Sequence, residues 1–103
     1  NPRTTSDAEY MQVMADIYQL TGRENEAVQI EEQLRAENPD AVWARITLAA
    51  RYQAASRHDE AHTLILEALQ VNPALSAEAL SRRWFGQADL EERLRNLRAA
   101  GLP

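Results

Sequence analysis

The chain has 103 residues, of which 45% are apolar and 26% charged, and it contains no cysteine. This length and composition predict one domain or a short run of repeats and exclude intrinsic disorder. The lack of cysteine excludes a disulfide scaffold and a thiolate-ligated metal site, and no apolar run approaches the roughly 18 residues of a membrane span.

The charge is unevenly distributed along the chain. The net charge is −5, and residues 1–40 carry nine acids against three Arg, whereas residues 76–103 carry four acids against five Arg. A nucleic-acid-binding protein needs a basic face, so nucleic acid is not an expected partner. All eleven basic residues are Arg, which we interpret as the codon usage of a GC-rich bacterial genome.

Comparison of each residue with the one 34 positions later reveals an internal repeat. The coincidences pair Ala15 with Ala49, Tyr18 with Tyr52, Gln19 with Gln53, Arg23 with Arg57, Glu26 with Glu60, Ala27 with Ala61 and Asn38–Pro39 with Asn72–Pro73. A fixed period of this size is typical of arrays in which one supersecondary unit stacks on the next.

The first copy predicts two helices. The apolar face of the first helix, at i, i+3, i+4 and i+7, consists of Met11, Met14, Ala15 and Tyr18. Asp7 is a candidate N-cap for this helix, and Gly22 is expected to end it. The apolar face of the second helix consists of Ala27, Ile30 and Leu34. Pro39 prevents this helix from continuing.

The second copy repeats this arrangement, with a break near Ser56 and an end at Pro73. Its first helix has an apolar face of Leu48, Ala49, Tyr52 and Ala55. Its second helix has an apolar face of Ala61, Leu64, Ile65, Ala68 and Leu69. The small residues Ala27 and Ala61 are expected to be buried where paired helices touch.

The residues after Pro73 predict two more helices that do not follow the repeat. Ser76 begins a short helix that carries Leu80 and Trp84, and Gly86 ends it. A last helix starts near Asp89, has its apolar face at Leu90, Leu94 and Leu97, and ends at Gly101. Such a pair is expected to shield the last repeat from solvent.

This pattern resembles the tetratricopeptide repeat. The residues that match the family pattern are Ala15, Tyr18, Gly22, Ala27, Pro39, Ala49, Tyr52, Ala61 and Pro73. Four positions depart from it, because Met11 and Arg45 stand where Trp is usual, Ser56 replaces the turn glycine and Glu31 replaces a large apolar residue. The resemblance implies an all-α, right-handed solenoid of stacked helical hairpins in one domain. Repeat one would span residues 8–41, repeat two 42–75 and the capping helix pair 76–103.

The end of the chain resembles the tetratricopeptide tails of bacterial multidomain regulators. Its most specific segment is residues 97–103, Leu-Arg-Ala-Ala-Gly-Leu-Pro. In such regulators the repeats follow a nucleotide-cyclase or winged-helix domain, and no residue of either is present here. Asn1–Pro2 is similar to the close of an earlier repeat. We therefore expect a fragment of a longer, cytoplasmic bacterial protein.

The resemblance also implies a binding surface, because the first helix of each tetratricopeptide repeat lines a concave groove. The residues at the matching positions are Glu9, Gln12, Asp16, Gln19, Trp43, Ile46, Ala50 and Gln53. Trp43 and Ile46 would form an apolar patch beside the acidic Glu9 and Asp16, which favours a partner segment that is both apolar and basic. Alternatively, Trp43 packs within the array or against a neighbouring subunit.

We expect a protein–protein interaction module, used as the scaffolding or regulatory arm of a larger protein, and not an enzyme. Its partner would be another protein, a sibling domain or a second copy, and no cofactor is implied. The alternative is a self-association module in which Trp43 or Trp84 forms the dimer contact.

A third hypothesis is a small metal-binding domain, because His58 and His62 lie at i, i+4 on one helix. A surface pair without a third ligand is the simpler interpretation. The adjacent carboxylates Glu31–Glu32 and Glu91–Glu92 diverge by about 100 degrees on a helix. They are therefore expected on a solvated face rather than in an acid–base site.

Overall fold

The computed structural model describes residues 5–84, 86 and 89–103, with side chains from residue 9 onward. This part of the chain is all-α and contains no strand. Its six helices are α1 (Thr5–Leu20), α2 (Glu24–Glu37), α3 (Val42–Ala54), α4 (His58–Val71), α5 (Ala77–Arg83) and α6 (Leu90–Ala100). None of these described helices has the length and apolar content that a membrane crossing needs. The chain divides into two compact units, Asn1–Ala44 and Arg45–Pro103.

The helix boundaries follow the repeat that the sequence predicts. The bounds of α4 lie 34 positions after those of α2, and the last residue of α3 lies 34 positions after that of α1. The predicted breaks at Gly22, Pro39, Ser56, Pro73 and Gly86 are therefore confirmed.

Two details at the start of the chain differ from the sequence analysis or fall outside it. The N-cap assigned to Asp7 is wrong, because α1 already includes Thr5. The Asn1–Pro2 motif lies outside the described residues.

Each helical hairpin is closed by a turn of the same backbone geometry. The residue before α2, Arg23, has φ −98° and ψ 62°, and Arg57 before α4 has φ −95° and ψ 68°. The Arg23 amide donates to the Tyr18 carbonyl oxygen at 2.7 Å, and the equivalent bond from Arg57 to Tyr52 is 2.8 Å. The residue between them is left-handed in both copies, with φ 78° at Gly22 and 64° at Ser56.

A cluster of three side chains reinforces each turn. The Arg23 guanidinium lies 4.5 Å from the Tyr18 ring centroid and pairs with Glu26. In the second copy, the Arg57 guanidinium lies 4.2 Å from the Tyr52 ring and pairs with Glu60. We call these two sets the Tyr–Arg–Glu clusters. They give the recurrence of three residue types a physical reason, since each cluster holds the end of one helix against the start of the next.

Small residues lie at the centre of both units, as the sequence predicts. In the first unit α1 packs on α2, and Ala15, Ala27 and Leu34 are buried. In the second unit, the fully buried large side chains are Ile46, Leu48, Leu64, Ile65, Leu80 and Leu97. Ala27 and Ala61 are both 0% exposed, so the expectation of their burial is confirmed.

The last two helices complete the second unit. α6 contacts both α4 and α5. The Ser76 hydroxyl accepts a hydrogen bond from the Ala79 amide at 3.1 Å and so caps α5. The Ala77 amide donates to the Pro103 carbonyl oxygen at 2.7 Å, which joins the start of α5 to the segment after α6. Gly101 ends α6 in a left-handed conformation, as predicted.

Candidate partner-binding surfaces

Helix α1 carries the first half of the predicted binding set on an acidic surface. Glu9 and Asp16 are exposed, and Gln12 and Gln19 are half-buried. The sixteen residues of α1 include three acids and no basic residue. A partner that approaches this helix therefore meets a negative potential, which favours a basic segment.

Gln12 is already engaged inside its own hairpin. Its Nε2 atom donates to Oε2 of Glu31 on α2 at 2.9 Å and lies 3.5 Å from Oδ1 of Asp16. Glu31 is 0% exposed, so the expectation that this carboxylate belongs to a solvated face is wrong. A buried carboxylate needs hydrogen-bond donors, and the Gln12 amide supplies one of them.

The same two positions are apolar in the second copy. Ile46 and Ile65, which lie 34 positions after Gln12 and Glu31, are both 0% exposed. Burial of Ile46 means that its side chain is already covered and does not form an exposed patch with Trp43. The sequence analysis placed Ile46 in water, and this part of the interpretation is corrected by the structure.

The other predicted residues of α3 differ in how much surface they expose. Trp43 lies in the first turn of α3 and is half-buried. Ala50 is buried, and Gln53 is half-buried. The Gln53 Oε1 atom is buried and has no hydrogen-bond partner among the described residues. Of this half of the set, Trp43 and Gln53 thus retain surface that a partner could contact.

Arg45 explains how the second hairpin tolerates a charge where the family pattern has Trp. It is buried, and its Nε atom lies 3.0 Å from Oε1 of Glu67 on α4. Arg45 on α3 and Glu67 on α4 thus form an ion pair that joins the two helices of this hairpin. A paired and hydrogen-bonded charge can be buried at far lower cost than an isolated one.

Trp84 is part of the packed interior of the second unit. Its side chain is 8% exposed, and the Arg93 guanidinium lies 4.9 Å from its ring centroid. This burial removes Trp84 from the candidates for a dimer contact.

The histidine pair has a structural role in one of its two members. Nδ1 of His62 lies 2.9 Å from the Ala100 carbonyl oxygen at the end of α6. Because a carbonyl oxygen only accepts, Nδ1 carries the hydrogen, and only Nε2 of His62 could ligate a metal. Within residues 5–84, 86 and 89–103, no group of three or more His, Cys, Asp or Glu side chains could hold a metal ion.

One carboxylate has a shifted titration. The hydrogen bond from Arg57 lowers the pKa of Glu60 below its ordinary value, the positive charge of Arg57 acts in the same direction, and desolvation opposes both. Glu60 therefore remains ionised to lower pH than an unpaired glutamate.

The sequence analysis missed a row of exposed apolar side chains on α1. Tyr10, Val13, Ile17 and Leu20 lie at i, i+3, i+7 and i+10, and they are 66%, 53%, 47% and 86% exposed. We call these four residues the α1 stripe. The spacing was visible in the sequence, but the apolar face that contains Met11 and Ala15 accounted for the helix and drew attention from the second face.

No model of a known protein family matches the chain, and no curated protein has detectable similarity to it.

Proposed function

We propose that this chain is a protein–protein interaction module of the tetratricopeptide type. In this proposal α1–α2 and α3–α4 are two repeats of the right-handed solenoid that the resemblance implies, and α5–α6 is the capping pair. The module would act as the regulatory or scaffolding C-terminal arm of a larger bacterial protein.

The duplicated turn is the observation that carries this proposal. Equal backbone angles at Arg23 and Arg57, together with a Tyr–Arg–Glu cluster at each turn, recur after 34 residues. Two unrelated helical hairpins would have no reason to share this geometry at this period. Arrays built from such units bind proteins through exposed helix faces.

The exposed polar residues of α1 and the half-buried Trp43 supply the proposed contact surface. Glu9 and Asp16 would attract basic side chains, and Trp43 would supply the aromatic contact, since Trp is enriched at interface hot spots. Gln19 and Gln53 would contribute polar contacts. Gln12 and Ile46 would act indirectly, because both serve the interior of their own hairpins. The expected ligand is a protein segment with apolar and basic residues.

A peptide-display selection against the intact chain tests this function. The selected peptides should be enriched in Arg, Lys and large apolar residues. Trp43→Ala should lower their affinity by at least about 2 kcal/mol, or about 30-fold, while the urea midpoint of the free chain changes little. The charge reversal Asp16→Arg should also weaken binding, most strongly at low salt.

Two results would contradict the proposal. One is a selection in which no peptide distinguishes the wild-type chain from Trp43→Ala. The other is a loss of folding stability on the order of 3–5 kcal/mol in Trp43→Ala, which would identify Trp43 as a core residue. Sedimentation over a range of concentrations separates this function from self-association, in which Trp43→Ala would dissociate a dimer.

A further inference from the structure

The α1 stripe is an apolar surface that the fold of its own unit does not use. The four side chains follow one line along the helix, and this line is about 15 Å long at 1.5 Å per residue. The buried Ala15 lies on the opposite face, which packs on α2. α1 thus has two apolar faces, and only one of them is buried.

The repeat does not require large apolar residues at these positions. The residues that lie 34 positions after the α1 stripe are Ala44, Thr47, Arg51 and Ala54. They are small or polar, and Ala44 and Arg51 are buried. The first copy therefore carries large apolar side chains at positions where the second copy does not, and it exposes them.

Acidic residues accompany the stripe on one side. Glu9 and Asp16 each immediately precede a stripe residue, Tyr10 and Ile17, and both are exposed. The segment 1–40 as a whole has nine acids and three Arg. A partner that covers the stripe must therefore combine an apolar face with positive charge.

We propose that the α1 stripe is a docking surface for a basic amphipathic helix of another protein. Such a helix would place its apolar residues, also spaced at i, i+3, i+7 and i+10, on Val13 and Ile17, and its basic flank beside Glu9 and Asp16. The proposal deepens the proposed function and rests on it only in that the chain binds protein segments. The stripe is a different set of side chains from the contact surface around Trp43.

The charge decides between this occupant and two others. In a second copy, the segment that carries the stripe has the same excess of acids, so its approach would bring like charges together. The surface of an anionic membrane would be repelled for the same reason, and membrane-surface helices are typically rich in Lys and Arg.

A pair of designed peptides tests the docking surface. The first is a labelled helix of about 14 residues with Leu at the four stripe spacings and Lys on the flanks, and the second carries Glu in place of Lys. Fluorescence anisotropy with the intact chain should show at least about tenfold tighter binding of the Lys peptide. Its affinity should fall as NaCl rises from about 50 to about 500 mM.

Substitutions then locate the binding. Ile17→Asp should weaken the Lys peptide at least about tenfold, and Ile17→Gln provides a second variant without the added charge. Leu66→Asp on α4 is the matched control, because Leu66 is 50% exposed and Ile17 is 47% exposed. Leu66→Asp and Trp43→Ala should leave the affinity unchanged, and the latter result separates this surface from the proposed contact surface around Trp43.

Several outcomes would overturn the proposal. Equal affinity of the two peptides would remove the charge argument, and an equal effect of Leu66→Asp would show unspecific binding to exposed leucine. A dimer that Ile17→Asp dissociates would identify a second copy as the occupant. Sedimentation of the chain with phosphatidylcholine–phosphatidylglycerol vesicles, lost in Ile17→Asp, would identify a membrane surface.

Discussion

Replacement of the polar pair in the first hairpin by the apolar pair of the second is the sharpest test of the repeat. Gln12 and Glu31 occupy the positions that Ile46 and Ile65 occupy 34 residues later. The single variants Gln12→Ile and Glu31→Ile and the double variant form a cycle whose coupling energy can be measured.

The three variants are expected to differ in sign. Gln12→Ile removes a 2.9 Å hydrogen bond to a carboxylate that is 0% exposed. Hydrogen bonds to charged groups contribute about 1.5–3 kcal/mol, so this variant should lose about that amount of unfolding free energy. Glu31→Ile removes the buried charge itself and leaves a half-buried amide, which should cost at most about 1 kcal/mol. The double variant should be at least as stable as the wild type, because apolar residues often replace a buried polar pair without loss.

Urea unfolding followed by far-ultraviolet circular dichroism measures these differences. A loss of 1 kcal/mol corresponds to a shift in Tm of about 4–8 °C for a domain of this size, so the effects are well above the error of a melt. The reasoning would be refuted if Gln12→Ile were as stable as the wild type. It would also be refuted if the costs of the two single variants simply added in the double variant.

Four further predictions concern the second unit and its turn. Ser56→Gly should raise the unfolding free energy by about 0.5–1 kcal/mol, since a left-handed serine is strained, and Gly22→Ser should lower it by a similar amount; urea midpoints of the two variants check this. Ala61→Leu should lower stability by about 1–3 kcal/mol by overpacking a fully buried site, and an unchanged denaturation midpoint would contradict the helix contact. His62→Ala should lower it by about 0.5–1.5 kcal/mol, because it removes the hydrogen bond to the last turn of α6; hydrogen exchange of α6 should then speed up. Because the pKa of Glu60 is lowered in the folded state, its pairing stabilises the fold above the ordinary glutamate pKa and is lost as pH falls through the lowered value; in Glu60→Gln this part of the acid dependence should disappear from pH-dependent melts.

The positions of the helices could be predicted because local chemistry determines them. Pro39 and Pro73 prevent continuation of a helix, and Gly101 adopts a left-handed conformation that ends one. The 34-residue period then places equivalent breaks in both copies. The N-cap at Asp7 could not be decided in this way, because several polar residues near the start of α1 are chemically suited to cap a helix.

The candidate binding surface was harder to predict because burial depends on pairs of residues. Glu31 looks like a surface residue until the Gln12 amide of the neighbouring helix is known to face it. Ile46 was assigned to a groove from its position in the family pattern, yet its side chain is buried. Sequence periodicity reports which residues share a helix face, but it does not report what lies against that face.

The Tyr–Arg–Glu clusters have a consequence for the order of folding. Each cluster joins residues that lie no more than eight positions apart, from Tyr18 to Glu26 and from Tyr52 to Glu60. Contacts of such short sequence separation cost little loop entropy, so each hairpin can nucleate at its own turn. Fast folding is therefore expected, with Arg23→Ala and Arg57→Ala slowing different phases if the two turns nucleate separately.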